Sequence, residues 1–158
     1  DEGLLSCAGC RAEYPIEGGV PRLLPEPPTG GLRRTRESFA FETTLSSRSF
    51  APWLTALRAS GYAVHLVFLW LSSPDLAVQR VAHRVHSGGH DVPAETIRRR
   101  YHAGIRNLFS LYQPVVTSWT VYNCSGPRSH LVAEVVDSEP VRVYDKNVWA
   151  VVQRQGNQ

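Results

Sequence analysis

A ten-residue run, Tyr62 to Leu71, most constrains what this chain can become, because it is almost continuously apolar and helical patterns lie on both sides of it. A short unbroken apolar run between amphipathic helices is the signature of a parallel strand buried on both faces, so the sequence predicts a layered α/β fold with a mostly parallel sheet. The flanking helices are well marked. Phe50, Trp53, Leu54 and Leu57 share a helical face in Ser49 to Ser60, and Gly61 is placed to stop it. Ser72-Ser73-Pro74-Asp75 offers a capping hydroxyl, a proline for the first turn and an early acid, ahead of a stripe of Val78, Val81, Ala82 and Val85. Ser87-Gly88-Gly89-His90 breaks that helix. A longer one then opens at Asp91-Val92-Pro93-Ala94-Glu95 and runs to about Tyr112 on a stripe of Ile97, Tyr101, Ile105, Leu108 and Tyr112.

Val115 to Tyr122 reads as the second strand. Leu131 to Val136, Val141 to Tyr144 and Val148 to Val152 read as three further short strands, with Tyr144 to Trp149 as hairpin packing. His65, within the first strand, reads as a packed, hydrogen-bonded core residue. Upstream, Pro25-Glu26-Pro27-Pro28-Thr29-Gly30-Gly31 has the composition of a linker. The expected organisation is therefore residues 1–25, a linker over 26–36, and a domain over 37–158.

Charge is the next constraint. Lys146 is the sole lysine beside sixteen arginines, and the formal charge is only +3. Arginine forks suit phosphates and carboxylates, although a genome-wide codon bias produces the same surplus. Only local arrangement can argue for function. Arg80 and Arg84 are one turn apart, and Arg98, Arg99 and Arg100 sit early in the next helix, beyond the double glycine. Two helices joined at such a turn can form a lid over polyphosphate, or simply a solvated basic face. Phe39-Ala40-Phe41-Glu42-Thr43-Thr44-Leu45-Ser46 offers an acid and hydroxyls for a sugar or nucleotide; the same hydroxyls can cap the helix that follows. His83, His86 and His90 cluster at the lid turn without requiring a metal.

Taken together, these segments resemble the zeta toxin family of P-loop kinases. The resemblance rests on Ser38 to Ser46, on Gly61-Tyr62 with a strand ending Leu71-Ser72-Ser73-Pro74-Asp75, on Arg80 to Val85, on Gly88-Gly89-His90-Asp91-Val92-Pro93, on Arg98 to Tyr101 and on Trp119 to Ser125. It runs from about Glu37 to Ser125. The resemblance implies transfer of the γ-phosphate of ATP, with Mg, to a small molecule such as a UDP-N-acetylamino sugar. It implies that Glu42 and Thr43 touch the acceptor, and that Arg80 or Arg84 and one of Arg98 to Arg100 hold ATP phosphates. The family's phosphate loop, G-x-x-x-x-G-K-[ST], does not occur in the 158 residues. The expectation is thus an incomplete kinase domain, inactive by itself, that leaves an apolar sheet edge open and acts beside a complementing chain or an antitoxin, if at all.

Leu4 to Leu24 resembles half of the short zinc ribbon that partners methyltransferases, with Cys7 and Cys10 as its knuckle. Two thiolates supply half of a structural zinc site, so zinc is not expected there. Three cysteines cannot close a disulfide framework, and Cys124 reads as an unpaired thiol. No signal-like or membrane-length apolar stretch occurs, which predicts a cytoplasmic protein with no membrane or nucleic-acid partner. Two other readings stay open: a non-enzymatic binding module docked through the N-terminal knuckle, and a fusion of two truncated reading frames.

Overall fold

The computed structural model describes residues 38–137 and 139–158, together with the backbone of three strands nearer the start of the chain. The chain divides into two units, Asp1–Glu42 and Thr43–Gln158. In the first, β1 (Gly3–Ser6), β2 (Glu13–Glu17) and β3 (Val20–Pro21) form an antiparallel sheet in that order. Cys7, Cys10 and the 26–36 segment lie outside the described residues.

The second unit carries α1 (Phe50–Ala59), β4 (His65–Trp70), α2 (Pro74–His86), α3 (Ala94–Asn107), β5 (Ser118–Asn123), β6 (His130–Val135), β7 (Arg142–Val143) and α4 (Lys146–Gly156). Its sheet runs β4-β5-β6-β7. β4 and β5 are parallel, whereas β6 and β7 each join antiparallel. The sheet is therefore mixed rather than mostly parallel. Only β4 to β5 has a connection long enough for a crossover, while the short segments after β5 and β6 return the chain directly.

The helices form where the sequence marks them. Ser73 accepts the Leu76 N–H at 3.1 Å and starts α2. Gly61 and Gly88 both adopt φ +90°, beyond the ends of α1 and α2. At the second turn, Gly88 supplies the left-handed backbone and Gly89 the room, since a Cβ on Gly89 would stand 2.9 Å from the Arg84 carbonyl oxygen. α3 ends earlier than its stripe suggests, and the chain widens into a π-type turn over Leu108–Tyr112. That turn seats Leu108 and Tyr112, both fully buried, beside Ile105.

Val148 to Val152 is helix, not strand; of Tyr144 to Trp149 only Tyr144 and Asp145 lie against the β6–β7 hairpin, both donating to the Val132 carbonyl, and the helix takes over at Lys146. Asp145 accepts the Val148 N–H at 3.0 Å, which starts α4. Trp149, Val152 and Gly156, at helical spacing, face the core. Trp149 stacks on Trp119 with ring centroids 5.6 Å apart. The apolar run there carries two periodicities, and the acidic cap decides between them.

Leu66, Phe68 and Trp70 of β4 share a sheet face with Trp119 and Val121 of β5, and the core fills that side. The opposite face of β4 is open: Val67 and Leu69 are 62% and 64% exposed. Burial on both faces, expected from the unbroken apolar run, thus holds for one face only. His65 is likewise exposed at the start of the strand, its ring against the Ser118 hydroxyl, and is not a core residue.

Candidate functional site

In open α/β sheets ligands bind beyond the carboxyl ends of the parallel strands. Here those ends are Trp70-Leu71-Ser72 after β4 and Asn123-Cys124-Ser125 after β5, and a polar network ties them together. The Cys124 N–H donates to the Trp70 carbonyl at 2.8 Å, and the Ser72 N–H to the Ser125 hydroxyl at 2.8 Å. Gln155 of α4 is the hub. Its Oε1 accepts the Trp70 indole N–H at 2.8 Å, and its Nε2 donates to the Ser72 carbonyl at 3.3 Å. The Tyr101 hydroxyl of α3 donates to the Leu71 carbonyl at 2.7 Å, with Gln155 Oε1 at 3.2 Å as a weaker second acceptor. Burial pushes the Tyr101 phenol above its ordinary value, partly offset by Gln155, so it remains a donor at neutral pH.

Arg80 reaches this junction. One guanidinium nitrogen donates to the Cys124 carbonyl, which places a fixed positive charge at the carboxyl end of β5. The remaining donors of that planar fork are available to phosphate oxygens. Burial pushes the Cys124 thiol up and the Arg80 charge partly offsets it, so the thiol is a neutral group here. Arg84 lies one turn further along the same stripe and donates to the His90 carbonyl at 3.2 Å, closing the double-glycine turn.

Arg98 is engaged elsewhere. It makes two hydrogen bonds to Asp75 Oδ1, at 3.1 and 2.8 Å, and so joins the start of α3 to the start of α2. At 100° per residue, Asp75 and Arg80 stand roughly 140° apart around α2, so Arg98 does not share the Arg80 flank. Arg100 is exposed, on the α3 stripe that continues through Gly104 to Asn107.

That stripe meets the proposed acceptor segment. The Thr44 carbonyl packs directly on Gly104, where any side chain would collide with it. Asn107 is buried and donates from Nδ2 to the Leu45 carbonyl at 2.8 Å and the Ser46 carbonyl at 3.3 Å. These contacts hold Leu45 at φ +56°, an uncommon conformation for a branched residue that costs about 1–3 kcal/mol. The Thr43 hydroxyl accepts the Leu45 N–H at 3.2 Å, and the Thr44 and Ser46 hydroxyls bond each other. None of the three hydroxyls caps α1, whose start has no side-chain cap. Glu42 and Thr43 fall on opposite sides of the division between the two units.

Gly104, Asn107, Tyr101 and Gln155 were not marked as functional by the sequence reading. Gly104 and Asn107 did carry a signal: a glycine and an amide on the apolar side of a helix imply a close backbone neighbour. Among the described residues no group of three or more His, Cys, Asp or Glu side chains could hold a metal ion, His83, His86 and His90 around the double-glycine turn included. No helix among the described residues is long and apolar enough to cross a membrane.

Over 63 residues the chain is 30% identical to an uncharacterised protein of Haemophilus influenzae, a match that spans 40% of this chain and 45% of that protein. The chain thus covers less than half of that relative. No family model matches the sequence, and no solved structure matches it.

Proposed function

We propose that residues 43–158 form the lid and acceptor half of a zeta-toxin-type small-molecule kinase, able to bind nucleotide phosphates but unable to transfer phosphate alone. The observation that carries this reading is Arg80, held at the carboxyl end of β5 beside the Ser72–Ser125 bridge. A guanidinium fixed there needs no reorganisation before it meets a phosphate oxygen, which is the kind of electrostatic preorganisation phosphoryl transfer uses. Arg84 and Arg100 extend the positive rim. Arg98 joins it only on leaving Asp75. Thr43 supplies a hydroxyl contact to an acceptor of the UDP-amino-sugar class, with the Thr43–Ser46 segment braced by Gly104 and Asn107.

The described residues do not fit a resident magnesium ion. Neither a phosphate-loop hydroxyl nor a cluster of carboxylates is present among the described residues, so magnesium belongs with the nucleotide. With no phosphate-loop lysine in these 158 residues either, transfer requires a phosphate loop supplied from outside them. Isothermal titration with Mg–ATP tests the reading. Binding in the millimolar range is expected, weakened about tenfold by Arg80→Ala, as loss of one charge-assisted contact implies. No heat at millimolar nucleotide would remove it.

A further inference from the structure

Valence alone orients the Gln155 amide. The Trp70 indole N–H can only donate, so the Gln155 side-chain oxygen must face it, at 2.8 Å, and the amide nitrogen must then face the Ser72 carbonyl, at 3.3 Å. Ser72 is held on its other side as well. The Leu71 carbonyl, in the peptide before it, accepts the Tyr101 hydroxyl at 2.7 Å. The N–H of that same peptide donates to the Ser125 hydroxyl oxygen at 2.8 Å. Gln155 and Tyr101 thus set the direction from which Ser72 meets Ser125.

That bond decides what Ser125 can do. A hydroxyl has one proton, so an oxygen that accepts from Ser72 directs its own proton elsewhere. The peptide between Cys124 and Ser125 is also held at both ends. Its carbonyl accepts from Arg80, and its N–H donates to Asn123 Oδ1 at 2.9 Å. A guanidinium and a hydroxyl are therefore docked on one immobilised peptide group at the carboxyl end of β5, and both have protons to donate.

We infer that Ser125 is a second ligand-binding residue of the phosphate site, donating its hydroxyl proton to a phosphate oxygen beside the one held by Arg80, and that Gln155 is the positioning residue that keeps Ser125 in that orientation. The inference rests on the phosphate reading of Arg80 and extends it to α4, whose Gln155 otherwise only ties strand ends together. A hydroxyl that already accepts a hydrogen bond is a more polarised donor. One held in place beforehand needs no reorganisation when the anion arrives. A terminal phosphoryl group presents several oxygens and can engage the guanidinium and the hydroxyl at once. Ser125 reports on the ligand directly, whereas Gln155 acts only through the Ser72–Ser125 bridge.

Isothermal titration of the full chain with inorganic tripolyphosphate tests it. Ser125→Ala should weaken binding about tenfold, as loss of one hydrogen bond to a charged group implies. Ser125→Thr, which keeps the hydroxyl, should recover most of that loss. Gln155→Glu keeps an oxygen for Trp70 and Tyr101 but loses the donor to Ser72, so it should weaken binding too. The double variant separates positioning from repulsion between the new carboxylate and the phosphate. Repulsion alone leaves the Ser125→Ala effect at its full size in the Gln155→Glu background, whereas positioning shrinks it to less than about twofold. Urea unfolding establishes that each variant is folded, and Gln155→Met serves the same cycle if Gln155→Glu is not. An undiminished Ser125→Ala effect in the Gln155 background overturns the role of Gln155. Wild-type affinity in Ser125→Ala, with Arg80→Ala still defective, overturns the role of Ser125 and leaves Arg80 as the phosphate ligand. A wild type that binds no tripolyphosphate removes this inference and the phosphate reading together.

Discussion

Replacing Gly104 with alanine sets two opposed effects against each other. In an exposed helix interior this change stabilises by about 1 kcal/mol, through helix propensity alone. At Gly104 the new methyl would lie 3.6 Å from the Thr44 carbonyl carbon and well inside the contact distance of its oxygen. Backbone cannot rotate aside as a side chain can, so the overpacking penalty of about 1–3 kcal/mol applies. If the segment lifts to escape, the two Asn107 hydrogen bonds to Leu45 and Ser46 stretch, at a further cost of about 1 kcal/mol. The net expectation is a loss of about 1–3 kcal/mol, the packing and hydrogen-bond costs outweighing the propensity gain. Urea unfolding followed by tryptophan fluorescence reads this as a lower midpoint at unchanged slope. A variant more stable than the wild type by the propensity increment would refute the placement of the Thr43–Ser46 segment on α3.

Further outcomes follow from the same contacts. Gly156→Ala would drive a methyl into the Phe109 ring and should lower the melting temperature by several degrees, visible by calorimetry; no change would mean the ring is free to move. Asp75→Asn should alter stability by no more than about 1 kcal/mol, because the pair with Arg98 is 48% and 69% exposed. The same variant should bind Mg–ATP up to about fivefold more tightly, since it frees Arg98 for phosphate; a weaker titration would exclude Arg98 from the rim. Asp145 is held below the ordinary aspartate value, first by the Val148 N–H and then by His130 against a modest opposing effect of burial. A depressed carboxylate stabilises the fold above the unfolded value and loses that contribution as pH falls through the folded one. The stability gap between wild type and Asp145→Ala should therefore be full at pH 7 and close below roughly pH 4 in urea titrations; a gap that widens on acidification would contradict the cap.

Local chemistry made much of the fold legible. Ser73 with Pro74 marked the start of α2, and Gly61 and Gly88 marked two helix ends, because caps and left-handed turns act within a few residues. α4 was illegible from its apolar run alone, since Val148 to Val152 suits a strand as well as a helix and only the Asp145 cap and the Trp119–Trp149 stack separate them. The open face of β4 was hidden for a different reason: an unbroken apolar strand does not reveal whether a second layer covers it. The site was legible in part. Arg80 and Arg84 were visible from their spacing, but their carbonyl partners were not. The capture of Arg98 by Asp75 joins residues 23 apart and has no local signature. Gly104 and Asn107 were readable in principle, because a helix tolerates a glycine and a buried amide on its apolar side only where backbone approaches closely.

The central claim is that Arg80, fixed at the carboxyl end of β5, grips phosphate. Amide chemical-shift mapping by NMR with inorganic tripolyphosphate tests it without nucleotide or acceptor. The account predicts perturbations concentrated at Ser72, Ser73, Arg80, Arg84 and Ser125, and their loss in Arg80→Ala. Shifts centred on Lys146 or spread over the basic surface, and indifferent to Arg80, would contradict it.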